Sequence, residues 1–277
     1  MEEQVTRLVD QAWEGFQKTP RGPPLLNRHS RHPRLRYVIY FRPWLFLPRL
    51  CPEPAPPPSK GSDHALHFVH GKTTLSQIVA DRLNARHATL HPERVERVPV
   101  AAFVPMDGYH LTRAQLSSMP DPAQAHARRG AEFTFDGASY LKLIRALREP
   151  LSPSSEAIHA PSFDHAVKDP KENDIAILPG HRIVVFEGNY LTLDREPWRE
   201  AAGLMDRRWF VEVDFAVARR RLVKRHVAAG IAKDEDEAGR RADENDLVNG
   251  EQIVRERVGT VDEIVVSRED DEWRAQK

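Results

Sequence analysis

The feature that most constrains this chain is the run Gly71-Lys72-Thr73-Thr74, followed by Leu75, Ile78, Val79 and Leu83 at helical spacing. A phosphate-binding loop reads G-x-x-x-x-G-K-[ST] between a buried strand and a helix. Successive backbone N–H groups cradle phosphates there, while the lysine and the hydroxyl take the outer phosphates and Mg2+. The second glycine, the lysine and the hydroxyl are all here. The first glycine would fall at Leu66, and His67-Phe68-Val69-His70 is bulky where a tight anion nest wants small residues. The stretch is half of the motif, and it demands a strand before it and a helix after it.

What precedes it changes character twice. Residues 3 to 16 place Val5, Leu8, Val9, Ala12, Trp13 and Phe16 on one face, which predicts an amphipathic helix of a folded protein. Eleven of the 22 prolines then fall between Pro20 and Pro58, and from Lys18 to Arg49 there are eight Lys/Arg and no Asp/Glu. Pro52-Glu53-Pro54-Ala55-Pro56-Pro57-Pro58 cannot be helix or inner strand, because proline fixes φ and removes donors. The segment reads as a proline-rich linker or partner-binding tract, as a basic targeting tail, or as sequence of untranslated or alternatively spliced origin standing in for the first strand and loop glycines. We favour the last. Tyr37-Val38-Ile39-Tyr40-Phe41 has the composition of the required strand, but some thirty residues separate it from Gly71, where such loops take ~2–6.

Downstream, strands and helices alternate. Val98 to Val104 predicts a buried strand that delivers Met106-Asp107-Gly108-Tyr109-His110 at its carboxyl end. A polar stretch with Arg128-Arg129-Gly130 precedes a helix from Gly137 to Arg148. Ala157-Ile158-His159-Ala160 predicts a weak strand before Pro161-Ser162-Phe163-Asp164-His165, and Arg182 to Phe186 a strong one ending at Glu187-Gly188-Asn189-Tyr190. Trp209 to Val213 is another, followed by a basic helix with Arg219, Arg220, Arg221, Lys224, Arg225 and His226. Residues 234 to 257 read as one acid-started helix and Glu263 to Val266 as a last strand. The alternation implies an α/β fold with a parallel sheet and right-handed crossovers.

Open parallel sheets hold their chemistry at the carboxyl ends of the strands. Phosphoryl transfer needs a phosphate cradle, a metal, a base for the acceptor hydroxyl and positive charge over the transferring group. Gly71, Lys72, Thr73 and Thr74 are the candidate cradle, with Thr73 also a Mg2+ ligand. Asp107, just past a buried strand, is placed to accept a proton from a hydroxyl, the competing reading being a helix or turn cap. Glu187, also at a strand end, could hold Mg2+ through water or form a buried salt bridge. Arg221 and Arg225 share a helix face at i, i+4 and fit a lid closing over phosphates, where an ordinary solvated face is the alternative. Tyr109, His110, Arg128, Arg129, Phe163, Asp164 and His165 are candidate substrate contacts in loops at this edge. Nothing pairs His110 and His165 at metal-ligand spacing.

Composition narrows the partners. Lys+Arg and Asp+Glu are both 41, so no net charge draws the chain to nucleic acid or to an anionic membrane. The single Cys51 excludes an intrachain disulfide and a cysteine-based zinc site. No apolar run approaches the ~20 residues of a bilayer span, and Met1-Glu2-Glu3 lacks the basic start of a signal peptide, so a cytoplasmic setting is expected.

From Gly71 to about Val266 the chain resembles the uridine kinase, phosphoribulokinase and pantothenate kinase superfamily of P-loop kinases, and most of all its nucleoside/nucleotide kinase-like or fructose-transport-system kinase-like branch. The matching pieces are Gly71 to Leu75, Pro105 to Leu111, Arg128 to Ala131 with Thr134-Phe135-Asp136, Ala160 to Asp164, Val184 to Leu191, and Arg221 to His226. The resemblance implies a P-loop NTPase-type sheet flanked by helices with a helical lid, ATP as donor, Mg2+, and a small hydroxyl-bearing acceptor. It implies that Asp107 is the catalytic aspartate, Glu187 the Mg2+-associated acid, and Arg221 and Arg225 the lid arginines. On this basis residues 1–17 are the N-terminal helix of the kinase domain, 18–70 an irregular insert that replaces the first strand and loop, and 71–277 the kinase domain. The alternative is a catalytically impaired nucleotide-binding or scaffold protein with a disrupted loop. The acceptor and the oligomeric state stay open.

Overall fold

The computed structural model describes residues 2–19, 35–41, 72–92, 98–152, 154–228 and 230–267. The expectations for Pro52 to Pro58, for Leu66 to His70 and for Gly71 lie outside the described residues. Lys72, Thr73 and Thr74 are described in backbone only.

The first helix, α1 (Glu2–Lys18), buries Val5, Leu8, Val9, Ala12 and Trp13, the stripe expected of it. The strand β1 (Leu35–Phe41) comes next, then α2 (Lys72–Leu90) and β2 (Ala101–Pro105). After a 3-10 turn at Met106–Tyr109 come the short helices α3 (Arg113–Ser117) and α4 (Pro122–Ala127), and then α5 (Gly137–Arg148). A hairpin of β3 (Ile158–Asp164) and β4 (Asp169–Ile177) leads to β5 (Ile183–Gly188), α6 (Trp198–Gly203), β6 (Arg207–Glu212) and α7 (Phe215–Ala228). The helix expected over 234–257 is three successive pieces: α8 (Glu235–Arg241), a π-helical segment (Ala242–Asp246) and α9 (Leu247–Arg255). The chain closes with β7 (Glu263–Val266).

Five strands form one parallel sheet in the order β2-β5-β1-β6-β7. The stretch expected to replace the first strand therefore supplies one. Leu35–Phe41 pairs with β5 on one side and β6 on the other and stands in the middle of the sheet. Loop length counts against it in the sequence, whereas the five-residue β-branched and aromatic run Tyr37 to Phe41 argues for it, and pairing on both edges prevails.

The two faces of the sheet carry different cores. Ile183 and Val185 of β5 pack with Trp209 and Val211 of β6 under α1 and α2, joining Leu8, Trp13, Val79 and Leu83. The alternate residues Val184, Phe186 and Phe210 face α5, α6 and the hairpin, against Tyr140, Ile144, Leu147, Trp198 and Ile177. Every residue of β5 is buried, as period-2 side chains require when helices cover both faces. Burying an aliphatic or aromatic side chain contributes about 1.5–3 kcal/mol, so these two layers outweigh the exposed ion pairs Arg82–Glu2 and Arg86–Asp10 at 2.5 and 2.6 Å.

The hairpin corrects one expectation. The sequence puts Phe163, Asp164 and His165 in loops, yet Phe163 and Asp164 belong to β3, and β4 carries no strand signature. Pro170 to Asp174 is polar and largely exposed, and only Ile175 and Ile177 reach the core, so hydrophobic alternation is missing. Backbone pairing to β3 and the turn at 165–168, with Lys168 at φ +62°, hold the ribbon instead.

Candidate active site at the carboxyl edge of the sheet

Two acids lie where neighbouring strands end. Pro105, the last residue of β2, is paired with Glu187 of β5, and Asp107 follows two residues later in the 3-10 turn. Ile39 of β1 stands level with Glu187 on its other side, and Phe41 level with Val211. Two glycines allow this convergence. A Cβ on Gly188 would reach Met106 Sδ at 2.7 Å and Met106 Cβ nearer still, and one on Gly108 would meet the Pro161 carbonyl carbon at 2.5 Å. The strand end with Glu187, the turn with Asp107 and the hairpin are thus pressed against one another.

Helix α2 brings the half-motif to the same edge. Asn84 donates from Nδ2 to Ala101 O at 3.1 Å and accepts from Ala101 N at 2.8 Å, fixing that turn of the helix at the amino end of β2. Lys72 lies twelve residues earlier, about 18 Å along the helix axis at 1.5 Å per residue. The buried side chains of the intervening turns, Leu75, Val79, Ala80 and Leu83, run along Ile183, Val185 and Val211. That places the first turn of α2 at the carboxyl ends of the strands.

The turn carrying Asp107 is braced by His110. The Asp107 carbonyl accepts from His110 N at 3.1 Å and lies 2.9 Å from His110 Nδ1. The imidazole packs between Phe135 and Phe163, with ring centres 4.0 and 5.0 Å away. Burial pushes its pKa down to about 3, against the opposing pull of the Asp107 carbonyl, so the ring is neutral and its Nδ1 serves as donor. Tyr109 is buried against Tyr140, and desolvation raises its phenol well above the usual value. Both residues support the turn from beneath.

The other candidates separate into two groups. Arg129, Phe163, Asp164 and His165 gather at the hairpin turn. Arg129 donates to Lys168 O at 2.7 Å, Leu111 O at 3.0 Å and Asp169 Oδ1 at 3.1 Å, and its guanidinium carbon lies 5.5 Å from the centre of the Phe163 ring. Asp164 Oδ1 accepts from Ala166 N and Val167 N at 2.8 and 3.0 Å, which holds its carboxyl below the usual range. His165 lies against Phe163, and burial lowers its pKa while Asp164 opposes. These contacts build the wall of the edge and tie the hairpin to the Asp107 loop. Arg128 points elsewhere, its Nη2 donating to Asn249 Oδ1 of α9 at 2.8 Å.

The basic helix is not one solvated face. Arg219 pairs outward with Asp243 at 2.7 and 2.8 Å, and Arg220 and Lys224 are exposed. Arg221 donates to Ser267 Oγ at 3.1 Å, next to the end of β7. Arg225 turns inward, where burial lowers its pKa to about 10 and Asp246 opposes the shift. Asp246 Oδ2 is 3.0 Å from His226 Nε2, and the buried Tyr190, just past β5, donates to Gly130 O at 2.9 Å. Asp246, Asn249 and Tyr190 were not among the expected site residues. Asn245-Asp246 and Asn249-Gly250 are poor helix formers inside a helix, and that was the signal available in the sequence.

Glu187, 2% exposed, supplies hard oxygen donors, with the carboxylate of Asp107 on the neighbouring strand end. Mg2+ is held through one or two carboxylates, water and substrate phosphates rather than by an all-protein cage, so the donor set fits. No cluster of three or more His, Cys, Asp or Glu is present among the described residues. No helix among them is long and apolar enough to cross a membrane.

A five-stranded parallel sheet wrapped by helices, with an acid at each of two adjoining strand ends and a lysine-bearing helix start beside them, has the architecture of the P-loop kinases. No family model matches the chain. It is 56% identical over 153 residues to the ATP-dependent kinase-like protein notR' of Aspergillus versicolor, covering 55% of this chain and 89% of that one. It is 38% identical over 179 residues to a protein of Schizosaccharomyces pombe named as a candidate uridine kinase, covering 65% and 71%. Among solved structures, a candidate fructose transport system kinase from Silicibacter sp. TM1040 superposes with TM-score 0.65 at 26% identity, over 93% of this chain and 98% of that one. YFH7 of Saccharomyces cerevisiae shares the fold, with TM-score 0.73 at 21% identity over 96% and 99%. The chain belongs to this family of uridine kinase-like P-loop kinases.

Proposed function

We propose that the chain transfers a phosphoryl group from ATP to a hydroxyl of a small molecule. The observation that carries this is the convergence of Asp107, Glu187 and the start of α2 at one sheet edge. Asp107 takes the proton from the acceptor hydroxyl as its oxygen attacks the γ-phosphorus, and the β–γ bridging oxygen leaves with ADP. The loose transition state spreads negative charge over the equatorial oxygens, so positioning and positive charge do most of the catalysis. Lys72 answers the outer phosphates, and Arg221 on α7 adds charge from the lid side. Glu187 and Thr73 would hold Mg2+, which would supply positive charge against the phosphates. His110, kept neutral by burial, fixes the carbonyl of the residue that acts as base. The names borne by the relatives, an ATP-dependent kinase-like protein and candidate uridine and fructose-system kinases, agree with this chemistry without choosing an acceptor.

The test is thermal unfolding with and without Mg·ATP, alongside ADP release with a panel of hydroxyl acceptors. Binding to the folded state alone must raise its stability by mass action, about 2.7 kcal/mol at a hundred times Kd. The shift should vanish in Lys72→Ala and persist in Asp107→Asn, whose turnover should fall by roughly 10²- to 10⁴-fold. Full turnover in Asp107→Asn would overturn the assignment of the base, and the absence of any ATP-dependent shift in the wild type would overturn the reading as a whole.

A further inference from the structure

Beside the candidate catalytic edge lies a group of buried donors that the phosphoryl-transfer reading leaves unused. Arg225 has Nε and Nη2 shut from solvent with no hydrogen-bond partner among the described residues, and Arg128 has Nε in the same condition. The two guanidiniums flank one helical segment. Arg128 is bonded to Asn249, Arg225 faces Asp246, and these partners are three residues apart across the junction of the π segment and α9. Tyr190, just past the end of β5, lies within electrostatic reach of Arg128 and Asp246 together. Its ring stands 5.6 Å from Phe135, which in turn packs on His110 and so on the Asp107 turn.

Three of the nearby acceptors are already engaged. Asn249 Oδ1 takes Arg128 Nη2, Gly130 O takes the Tyr190 hydroxyl, and Asp246 Oδ2 faces His226 Nε2 at 3.0 Å. Arg225 therefore faces a carboxylate that His226 also approaches, and three buried guanidinium N–H donors are left over across Arg128 and Arg225. Guanidinium donors left unpaired in a buried setting are costly, and their planar fork matches the paired oxygens of a carboxylate or a phosphate. π-helical segments of this kind are frequent at functional sites, where they redirect side chains. Here the segment sets Asp246 toward Arg225 and His226.

We infer that Arg128 and Arg225 form an anion subsite for the acceptor, so that the substrate carries a carboxylate or phosphate group as well as the hydroxyl that is phosphorylated. The inference rests on the kinase reading for the word acceptor, but the subsite itself does not. Arg225 then acts as a binding residue, and Arg221 alone remains on the lid side of α7.

Anion binding is measured first, by thermal unfolding of the full chain over a concentration series of malonate, of inorganic phosphate and, as neutral control, of glycerol. Malonate or phosphate should raise the unfolding temperature and glycerol should not, and the anion that acts better identifies the group as carboxylate or phosphate. Arg128→Gln should raise the half-effective concentration at least tenfold while preserving the shift given by Mg·ATP. Arg225→Lys keeps the charge but loses the fork, and should weaken the response to a similar extent. No response to either anion, or an equal response in wild type and both variants, overturns the subsite. Loss of the Mg·ATP shift in Arg128→Gln overturns it too, because the donors would then serve the nucleotide. ADP release is then compared for hydroxy acids and phosphorylated alcohols against neutral nucleosides and polyols. Turnover of the neutral compounds equal to that of the anionic ones refutes the substrate class. No Mg·ATP shift in the wild type, or ADP release that no acceptor increases, refutes the kinase reading and leaves the subsite to be judged by the malonate and phosphate series.

Discussion

The contact between Gly188 and Met106 sets the distance between the two acids at the sheet edge, and Gly188→Ala tests whether that spacing matters. A methyl group at position 188 would meet Met106 Sδ at 2.7 Å and Met106 Cβ nearer still, whereas an ordinary contact is 3.4–4 Å. The end of β5 and the turn carrying Asp107 must therefore separate by about 1 Å, since the Met106 Cβ is bound to the backbone and cannot swing away. Overpacking of this kind typically costs 1–3 kcal/mol, which in a chain of this size lowers the unfolding temperature by roughly 2–4 °C per kcal/mol. A misplacement of about 1 Å between reacting groups can cost roughly 10²-fold in rate. Scanning calorimetry and steady-state ADP release, with the acceptor the panel yields, would measure both. Gly203→Ala is the control, because a methyl group there meets nothing within 4 Å. We expect Gly188→Ala to lose about 100-fold in kcat with an unchanged Mg·ATP shift, and Gly203→Ala to lose nothing. An unaltered unfolding temperature in Gly188→Ala would refute the steric reasoning. A lowered temperature with unaltered kcat would refute the claim that this contact spaces the acids.

Three further outcomes follow from the same geometry. Because burial drives His110 to about 3, the unfolded chain gains a proton below about pH 6.5 that the folded chain refuses. Stability should therefore fall with decreasing pH by up to about 1.4 kcal/mol per unit over that window, and His110→Asn, which can still donate to the Asp107 carbonyl, should flatten the slope; an unchanged slope would refute the assignment. Arg129→Met removes three hydrogen bonds that tie the hairpin turn to residue 111, and about 2–4 kcal/mol of stability should go with them; a loss under about 0.5 kcal/mol in urea unfolding would count against it. Arg219→Ala breaks only a half-exposed pair with Asp243 and should change stability by less than about 1 kcal/mol and turnover not at all, whereas a large fall in kcat would place Arg219 over the phosphates.

Buried features were legible in the sequence. The strand Ile183 to Phe186 stood out because a strand covered on both faces is apolar without interruption. Helix α5 was read at its observed bounds from Tyr140, Leu141, Ile144 and Leu147. Asp107 and Glu187 could be placed because an acid directly after a buried run must lie at a strand end. The polar strand β4 could not be read, since backbone pairing leaves no pattern in side chains. Nor could the separation of Arg128 from Arg129: adjacent residues on a helix end point apart, and where a long guanidinium lands depends on which helix passes by. β1 shows the limit of a length rule, for its composition was right and only its distance from Gly71 argued against it.

The docking of α1 bears on how the molecule assembles. Its Gln11 donates to Glu263 Oε2 at 2.8 Å and Arg7 pairs with the same carboxylate at 2.6 Å, so the earliest helix is latched to the latest strand across more than 250 residues. Joining points so far apart along a chain carries a loop-closure entropy of roughly (3/2)RT ln n, about 5 kcal/mol, unless intervening pieces have already folded. Helix α1 can settle on α2 as soon as residues 72–90 exist, but the latch must wait for β7. Long-range closure of this kind belongs to slow folding, so the latch forms late, when β7 pairs with β6.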